Sequence, residues 1–498
     1  MLVVAERADR IPSVAANSDP SVDPPFEPAD PTTIDPSGTV PADNSTVEPV
    51  EDPQPPPVDP AVADPNSINF GDAKPERSYD DFLLASLVDI ETWLQAEFEP
   101  AFGQPFTPLE GDVFAGYAER ADDIPGCGEP VTSYQDLQEF AAFYCPIGDF
   151  IVYDDGDEGL LARLADEFGP ATIGIVLAHE YGHAIQSRTG ALDGNLPTVT
   201  TEQQADCIAG AWAGRATNDV TAGVTFTDND LRAAMIALIT VQDPVGTDPT
   251  GAGGHGSGFD RVGAFQVGFQ EGLGRCARLI DEPLPLTPVQ FTSDRDFLND
   301  GNAPFGFDAD ELFGFLVPDL NLLYDNDLQE RFPDFAPLDL VAVQSATEID
   351  CDTPFGLFAA GVDLCSATNT VYLNEPVALD RFNEFGDFAP GYLLGIVWAE
   401  HALVTGESEL RGEERQLRND CLVGAWVNTV TPDPTTFTLP EPRDEARTAS
   451  ISPNDLTEAI QTAILIGDPT STSDVLGSPF EKIDAFRRGA LGGFDACG

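Results

Sequence analysis

Four histidines occur among the 498 residues of the chain, and two of them sit four positions apart in Gly174-Ile-Val-Leu-Ala-His179-Glu180-Tyr181-Gly182-His183-Ala-Ile-Gln186. At 3.6 residues per turn, His179 and His183 fall on one helix face, one turn apart. Two imidazoles so placed can grip a single zinc ion, with Glu180 beside them as a candidate general base and acid. The chemistry that needs this arrangement is hydrolysis, in which water is deprotonated next to a polarised carbonyl. A third ligand is needed. Glu202 is the candidate carboxylate, and Asp206, one turn later, is a candidate acceptor for a ligand imidazole N–H. Spacing alone leaves Glu202 open to the alternative of a solvated helix carboxylate. His255, in the glycine-rich loop Gly251-Ala-Gly-Gly-His255-Gly-Ser-Gly258, is either a catalytic donor to the oxyanion of a tetrahedral intermediate or an exposed loop histidine.

The elements that must position these groups are mostly helical. Apolar residues at helical spacing predict helices over Asp80–Phe98, Gly159–Phe168, Thr200–Asn218, Asp228–Gln242 and Phe259–Arg275, around the histidine helix itself. Phe150-Ile-Val-Tyr153-Asp reads as a short strand. Gly182 costs roughly 1 kcal/mol in a helix interior, which implies close approach of another backbone near the site. Tyr181 is a weaker candidate for substrate contact. Residues from about Ile11 to Asn69 are rich in Pro, Asp, Ser and Thr and read as a disordered acidic spacer, with folded sequence starting near Tyr79.

Composition bounds the partners. With 86 acidic and 23 basic residues the formal net charge is −63, which repels nucleic acid and anionic membrane and suits a salty, screening environment. No stretch reaches the length of a membrane-spanning helix. Eight cysteines, an even number, suggest four disulfides and an oxidising compartment, hence an extracellular or envelope-associated protein. The start, Met1-Leu-Val-Val-Ala-Glu-Arg, is too short for a secretory signal's apolar core. A truncated or misassigned start reconciles the two.

The second half of the chain replays the first. Gly395-Ile-Val-Trp-Ala399 matches Gly174-Ile-Val-Leu-Ala178, Asp420-Cys421-Leu-Val-Gly-Ala-Trp426 matches Asp206-Cys207-Ile-Ala-Gly-Ala-Trp212, and Phe480 to Phe486 matches Phe259 to Phe265. The cysteines correspond one for one, and the expected pairs are Cys127–Cys145, Cys207–Cys276, Cys351–Cys365 and Cys421–Cys497, the first and third each stapling a local loop. The candidate zinc residues do not recur: His179 corresponds to Glu400, Glu180 to His401, His183 to Val404, Glu202 to Gln416 and His255 to Leu476. The loss of Glu202 together with both histidines strengthens its assignment as a ligand. Asp206 persists as Asp420, which points to a structural share in its role, and Tyr153 persists as Tyr372, which points to packing.

His-Glu-Tyr-Gly-His-x-x-Gln (179–186), Glu-x-Gln-Ala-Asp-Cys-x-Ala-Gly-x-Trp (202–212), Phe-Tyr-Cys-Pro (143–146) and the later His255-Gly-Ser, Arg261 and Cys276 together resemble the neutral zinc metallopeptidases, over about residues 79 to 280. Gln203, where an apolar residue is more usual, and the appended second copy depart from the pattern. The resemblance implies zinc on His179, His183 and Glu202, Glu180 as base and acid, and a zincin-like α+β fold that is predominantly helical. The expected organisation is a disordered segment 1–78, a metallopeptidase domain 79–285, and a degenerate repeat 286–498 without metal ligands. One zinc ion per chain, in the first repeat only, and a peptide or protein substrate follow. The second repeat is expected to pack on the first or to hold substrate. The rival expectation is a non-catalytic binding or scaffold protein that keeps the fold.

Overall fold

An apolar helix that carries two histidines and a glutamate inward needs cover on every side, and neighbouring helices supply most of it. The computed structural model of the protein describes residues 68–498 apart from 129–130, 138–140, 195, 219–222, 252, 288–290, 292–293, 300, 304–305, 308–310, 353, 434–437 and 468–476. The expected disordered spacer therefore lies outside the described residues, except at its end.

In the first half the elements are β1 (Ile68–Asn69), α1 (Asp80–Phe102), β2 (Val113–Gly116), β3 (Ala142–Cys145), β4 (Phe150–Asp154), α2 (Leu160–Phe168), α3 (Ala171–Thr189), α4 (Thr198–Asn218), α5 (Asp228–Thr240) and α6 (Gly258–Glu271). Ordered pairing is thus present from Ile68, ahead of the expected start near Tyr79. Ile68 is buried and pairs with Val113, and Lys74 bonds Asp80 at 2.7 Å, so the acidic composition of this stretch did not keep it from the sheet. The sheet order is β1-β2-β4-β3, with β3 antiparallel at one edge and the other pairs parallel. The helix expected over Phe259–Arg275 is broken: α6 stops at Glu271, Gly272 takes a left-handed φ of 73°, and a separate turn, Leu273–Cys276, follows. A side chain there would be strained, and glycine is the residue that makes this corner cheap.

Helix α3 packs against α1, α2, α4, α5 and strand β3, and Ala171 to Gln186 is buried apart from Val176. The crossing of α3 and α4 is close because Gly182 has no side chain: a Cβ there would stand 2.7 Å from Ala205 Cα. The backbone approach anticipated from Gly182 is therefore present. Helices α4 and α6 meet in the same way, Gly210 facing the Phe265 carbonyl and Gly268 the Cys207 carbonyl. At the far end of α4, the indole of Trp212 and the guanidinium of Arg215 both donate to Asp89 of α1, at 2.8 and 2.6 Å.

The second half comprises α7 (Leu312–Leu322), β5 (Asp339–Val343), β6 (Val362–Cys365), β7 (Thr370–Asn374), α8 (Glu375–Phe385), α9 (Phe388–Thr405), α10 (Gly412–Val430), α11 (Asp455–Ile466) and α12 (Pro479–Gly492). Its sheet, β5-β7-β6, has one parallel and one antiparallel pair, like β2-β4-β3. Trp426 donates to Asp319 of α7 at 3.0 Å, the arrangement seen for Trp212 and Asp89. Disulfides join Cys127–Cys145, Cys207–Cys276, Cys351–Cys365 and Cys421–Cys497.

The two halves meet across α6 and α12. Gln266 Nε2 donates to the Phe480 carbonyl at 2.9 Å, and Arg487 Nη1 donates to the Phe259 carbonyl. The Arg487 guanidinium lies 4.2 Å from the centroid of the Phe259 ring, and Phe269 packs on Phe480 with centroids 4.5 Å apart. In the sequence correspondence Gln266 aligns with Arg487 and Phe259 with Phe480, so the two hydrogen bonds are reciprocal.

Candidate metal centre

Helix α3 places His179 and His183 one turn apart, with their rings edge to face and centroids 4.8 Å apart. Helix α4 crosses them and brings Glu202 to both. His179 Nε2 lies 3.2 Å from Glu202 Oε2, His183 Nε2 lies 3.4 Å from Glu202 Oε1, and the two Nε2 atoms are 3.1 Å apart. All three side chains are buried.

The outward faces of the rings fix their tautomers. His179 Nδ1 lies 2.7 Å from Asp206 Oδ1, and His183 Nδ1 lies 2.9 Å from Gln186 Oε1. Both partners are oxygen acceptors, so each Nδ1 carries the hydrogen and each Nε2 turns a lone pair inward. Gln186 is held in turn by donating to the Thr201 carbonyl at 2.6 Å. Asp206 receives a two-pronged guanidinium from Arg261 of α6, at 3.0 and 2.9 Å, and Arg261 also donates to the Val241 carbonyl. Three helices thus converge on one imidazole through Asp206.

Two imidazole lone pairs and a carboxylate facing one another at these distances repel unless a cation sits between them. Their separations of 3.1, 3.2 and 3.4 Å bracket the edge, about 3.3 Å, of a tetrahedron with the ~2.0–2.1 Å bond lengths of zinc to nitrogen and oxygen. Glu202 Oε2 is buried without a hydrogen-bond partner among the described residues, as a ligand oxygen would be. The donor set, N2O with the other imidazole nitrogens engaged, fits zinc. Electrostatics agree: burial tends to neutralise His179, yet Asp206 and Glu202 outweigh it and push the imidazole up to about 10. Burial likewise opposes ionisation of Glu202, but His183 and His179 hold its carboxyl well below the usual range. The pocket favours positive charge at its centre.

Glu180, also on α3, is buried, and burial raises its pKa. The Tyr144 amide of edge strand β3 donates to its carboxylate, and Oε2 has no partner among the described residues. A cleft lined by Ala142, Val176, His179, Glu180 and Leu238 runs along this side of α3.

His255 is buried rather than exposed on its loop. Asp243 holds it by accepting from the His255 and Gly256 amides, both at 2.8 Å, and from Nδ1 at 3.1 Å. His255 lies near enough to Glu202 to help lower the pKa of that carboxyl. Tyr181, by contrast, turns away: its hydroxyl donates to Glu91 of α1 at 2.9 Å, on the packed side of α3, which rules it out as a substrate contact.

Sequence reasoning did not single out Gln186 or Asp243 as partners, nor Arg261 as the clamp on Asp206. Gln186 could have been found, because it follows His183 by three positions on the same helix face. Asp243 and Arg261 arrive from distant elements and left no local signal.

The positions matched to the site in the second half hold a different arrangement. Glu400 is bound by Arg415 at 2.7 Å and by Asn419 at 2.9 Å, and His401 Nε2 faces the Ala336 carbonyl. Asp420 accepts from Lys482 at 2.8 Å and from Tyr392 at 2.7 Å. Ion pairs internal to the chain hold the two carboxylates, Glu400 and Asp420. Leu476 lies outside the described residues.

Residues 135–277 match the family described as "Putative neutral zinc metallopeptidase", a span that contains His179, Glu180, His183, Glu202, Asp206, His255 and Arg261. Uncharacterized proteins of Mycobacterium tuberculosis and Mycobacterium bovis are 35% identical over 169 residues, which is 30% of this chain and 55% of each relative. The chain therefore spans about half the length of the curated relatives it matches. No solved structure matches.

Proposed function

We propose, from the premise that residues 135–277 belong to the neutral zinc metallopeptidases, that the protein hydrolyses peptide bonds at the His179–His183–Glu202 centre. The observation that carries this reading is the tetrahedral spacing of the three inward donor atoms, with Glu180 adjacent on the same helix. Zinc, when bound, supplies Lewis-acid polarisation of a carbonyl and acidification of water. Glu180 takes the proton of the attacking water and delivers it to the leaving amine. Its burial and its single unpartnered oxygen suit both halves of that task, since a carboxyl of raised pKa gives the proton back readily.

His255 stabilises the oxyanion that develops on the carbonyl. Asp243 engages Nδ1 of His255, which leaves Nε2 as the ring atom to meet the oxyanion. Strand β3 lies at the sheet edge beside Glu180, and an extended peptide would run alongside it through the adjoining cleft. The substrate is accordingly a peptide or an unfolded stretch of protein.

The second half is a tandem copy that has lost its ligands, so one zinc ion is expected per chain. The shared sheet order, the paired tryptophan–aspartate contacts and the reciprocal Gln266 and Arg487 bonds support duplication. Its role is to brace α6, and through Arg261 the centre itself; a first half that is folded and fully active alone would refute that role. The four disulfides suit an extracellular or envelope-associated setting.

Glu180→Gln tests the function. Zinc should stay stoichiometric while peptide turnover falls roughly 10²–10⁴-fold. A zinc-loaded, folded wild type that cleaves nothing in a broad peptide library would refute hydrolysis and favour a binding protein.

A further inference from the structure

Among the described residues, a second set of three titratable side chains converges closely enough to share one ion. Asp387 immediately precedes α9, Asp455 opens α11, and Glu458 lies one turn farther along α11. An oxygen of each lies within 4.8 Å of an oxygen of the others. Their relative exposures are 7%, 3% and 0%, so all three are more than nine-tenths buried. No lysine, arginine or histidine charge acts on Asp387 or Glu458 among the described residues.

Hydrogen bonds fix these carboxylates without exhausting them. Glu458 accepts from the Phe388 amide at 2.8 Å and from Asn454 Nδ2 at 3.1 Å, while Asp455 accepts from the amide and hydroxyl of Ser452 at 2.8 and 2.5 Å. Each carboxylate oxygen has two lone pairs, so each retains acceptor capacity. Asp387 is less satisfied. It takes the Ala303 amide, yet its Oδ1 is buried with no hydrogen-bond partner among the described residues. The backbone beside it is kept bare: a Cβ on Gly386 would stand 2.1 Å from Glu458 Oε1.

Buried anions this close must be neutralised by shared protons or by a cation. Burial and mutual repulsion disfavour three bare carboxylates at this spacing. The buried Asp387 Oδ1, which no donor among the described residues reaches, points to an ion.

We propose that Asp387, Asp455 and Glu458 form a calcium site. Hard oxygen donors from flexible carboxylates suit Ca²⁺, whereas Mg²⁺ demands a near-ideal octahedron and keeps several waters. The ion joins α9 and α11 to the segment between the two halves, through Ala303 and through Asn302, whose Oδ1 accepts from the Asp387 amide at 3.4 Å. This site is independent of hydrolysis.

Terbium luminescence tests it, because Trp426 stacks on Phe388, next to Asp387, at 5.6 Å and can sensitise an ion there. The full chain is stripped with chelator, reloaded with zinc, and titrated with Tb³⁺ in high salt to suppress surface binding. Saturation at one equivalent, with displacement by Ca²⁺ but poorly by Mg²⁺, is expected. Asp387→Asn and, separately, Glu458→Gln should each weaken binding about tenfold or more, while Glu180→Gln should leave it unchanged. Equal affinity in wild type and either folded cluster variant would overturn the proposal. So would a wild type whose Tm ignores Ca²⁺ while Asp387→Asn raises it, which would assign the cluster to shared protons.

Discussion

Asp206 bears two loads, and they can be separated. It accepts from His179 Nδ1 at 2.7 Å and from Arg261 at 3.0 and 2.9 Å, with every group buried. Asp206→Asn keeps the shape but removes the charge, so it strands a buried guanidinium. Breaking one side of a buried ion pair costs about 3–5 kcal/mol of stability. The amide also orients His179 less firmly than a carboxylate does, and losing such a partner lowers metal affinity roughly 10–100-fold, or ~1.4–2.7 kcal/mol. Asp206→Asn combined with Arg261→Met removes the stranded charge and replaces it with a side chain of similar length. The double variant should recover most of the stability while zinc affinity stays low. Chemical denaturation of the zinc-free chains reads the first quantity, and competition with a chromophoric chelator reads the second. Full recovery of zinc affinity in the double variant would refute the argument, because it would show that Asp206 serves Arg261 alone. The second half makes the structural load visible, since Asp420 is clamped by Lys482 and Tyr392 at positions where no ligand histidine stands.

Three other outcomes follow from the same geometry. His255→Ala should lower kcat by roughly 10²–10³ with little change in KM, as removal of an oxyanion donor does; an unchanged kcat in steady-state assays would return His255 to a purely structural role. Gly182→Ala places a methyl 2.7 Å from Ala205 Cα, and the forced separation of α3 and α4 should cost about 1–3 kcal/mol and weaken zinc binding in the chelator competition. Paired serine substitution of Cys207 and Cys276 opens a loop with a sequence separation of 69, for which chain entropy gives a loss of about 4 kcal/mol, read as a fall in denaturant midpoint under oxidising conditions.

Much of the centre was legible in the chain because its logic is local. Helix periodicity put His179, Glu180 and His183 on one stretch of α3, and Gly182 announced a close crossing through its own cost in a helix. Comparison of the two halves drew Glu202 into the set. The strand at Ile68–Asn69 was not legible, because prolines and acids up to Asn69 hide a two-residue element whose partner, Val113–Phe114, is distant in the chain. The break at Gly272 was also missed, since helical spacing continues through it and only the left-handed φ ends α6.

The sequence by itself determined the residue types, the helix that pairs two imidazoles, and the contrast with a half that lacks them. Those follow from 3.6-residue periodicity and from residue identity, which need no long-range information. Tertiary structure alone decided that Arg261 clamps Asp206, that Asp243 pulls His255 inward, and that Tyr181 faces α1. It also brought Asp387 to Asp455 and Glu458, which no spacing in the chain connects. Contacts between distant elements depend on how helices cross, and that is set by packing of whole faces rather than by any one residue.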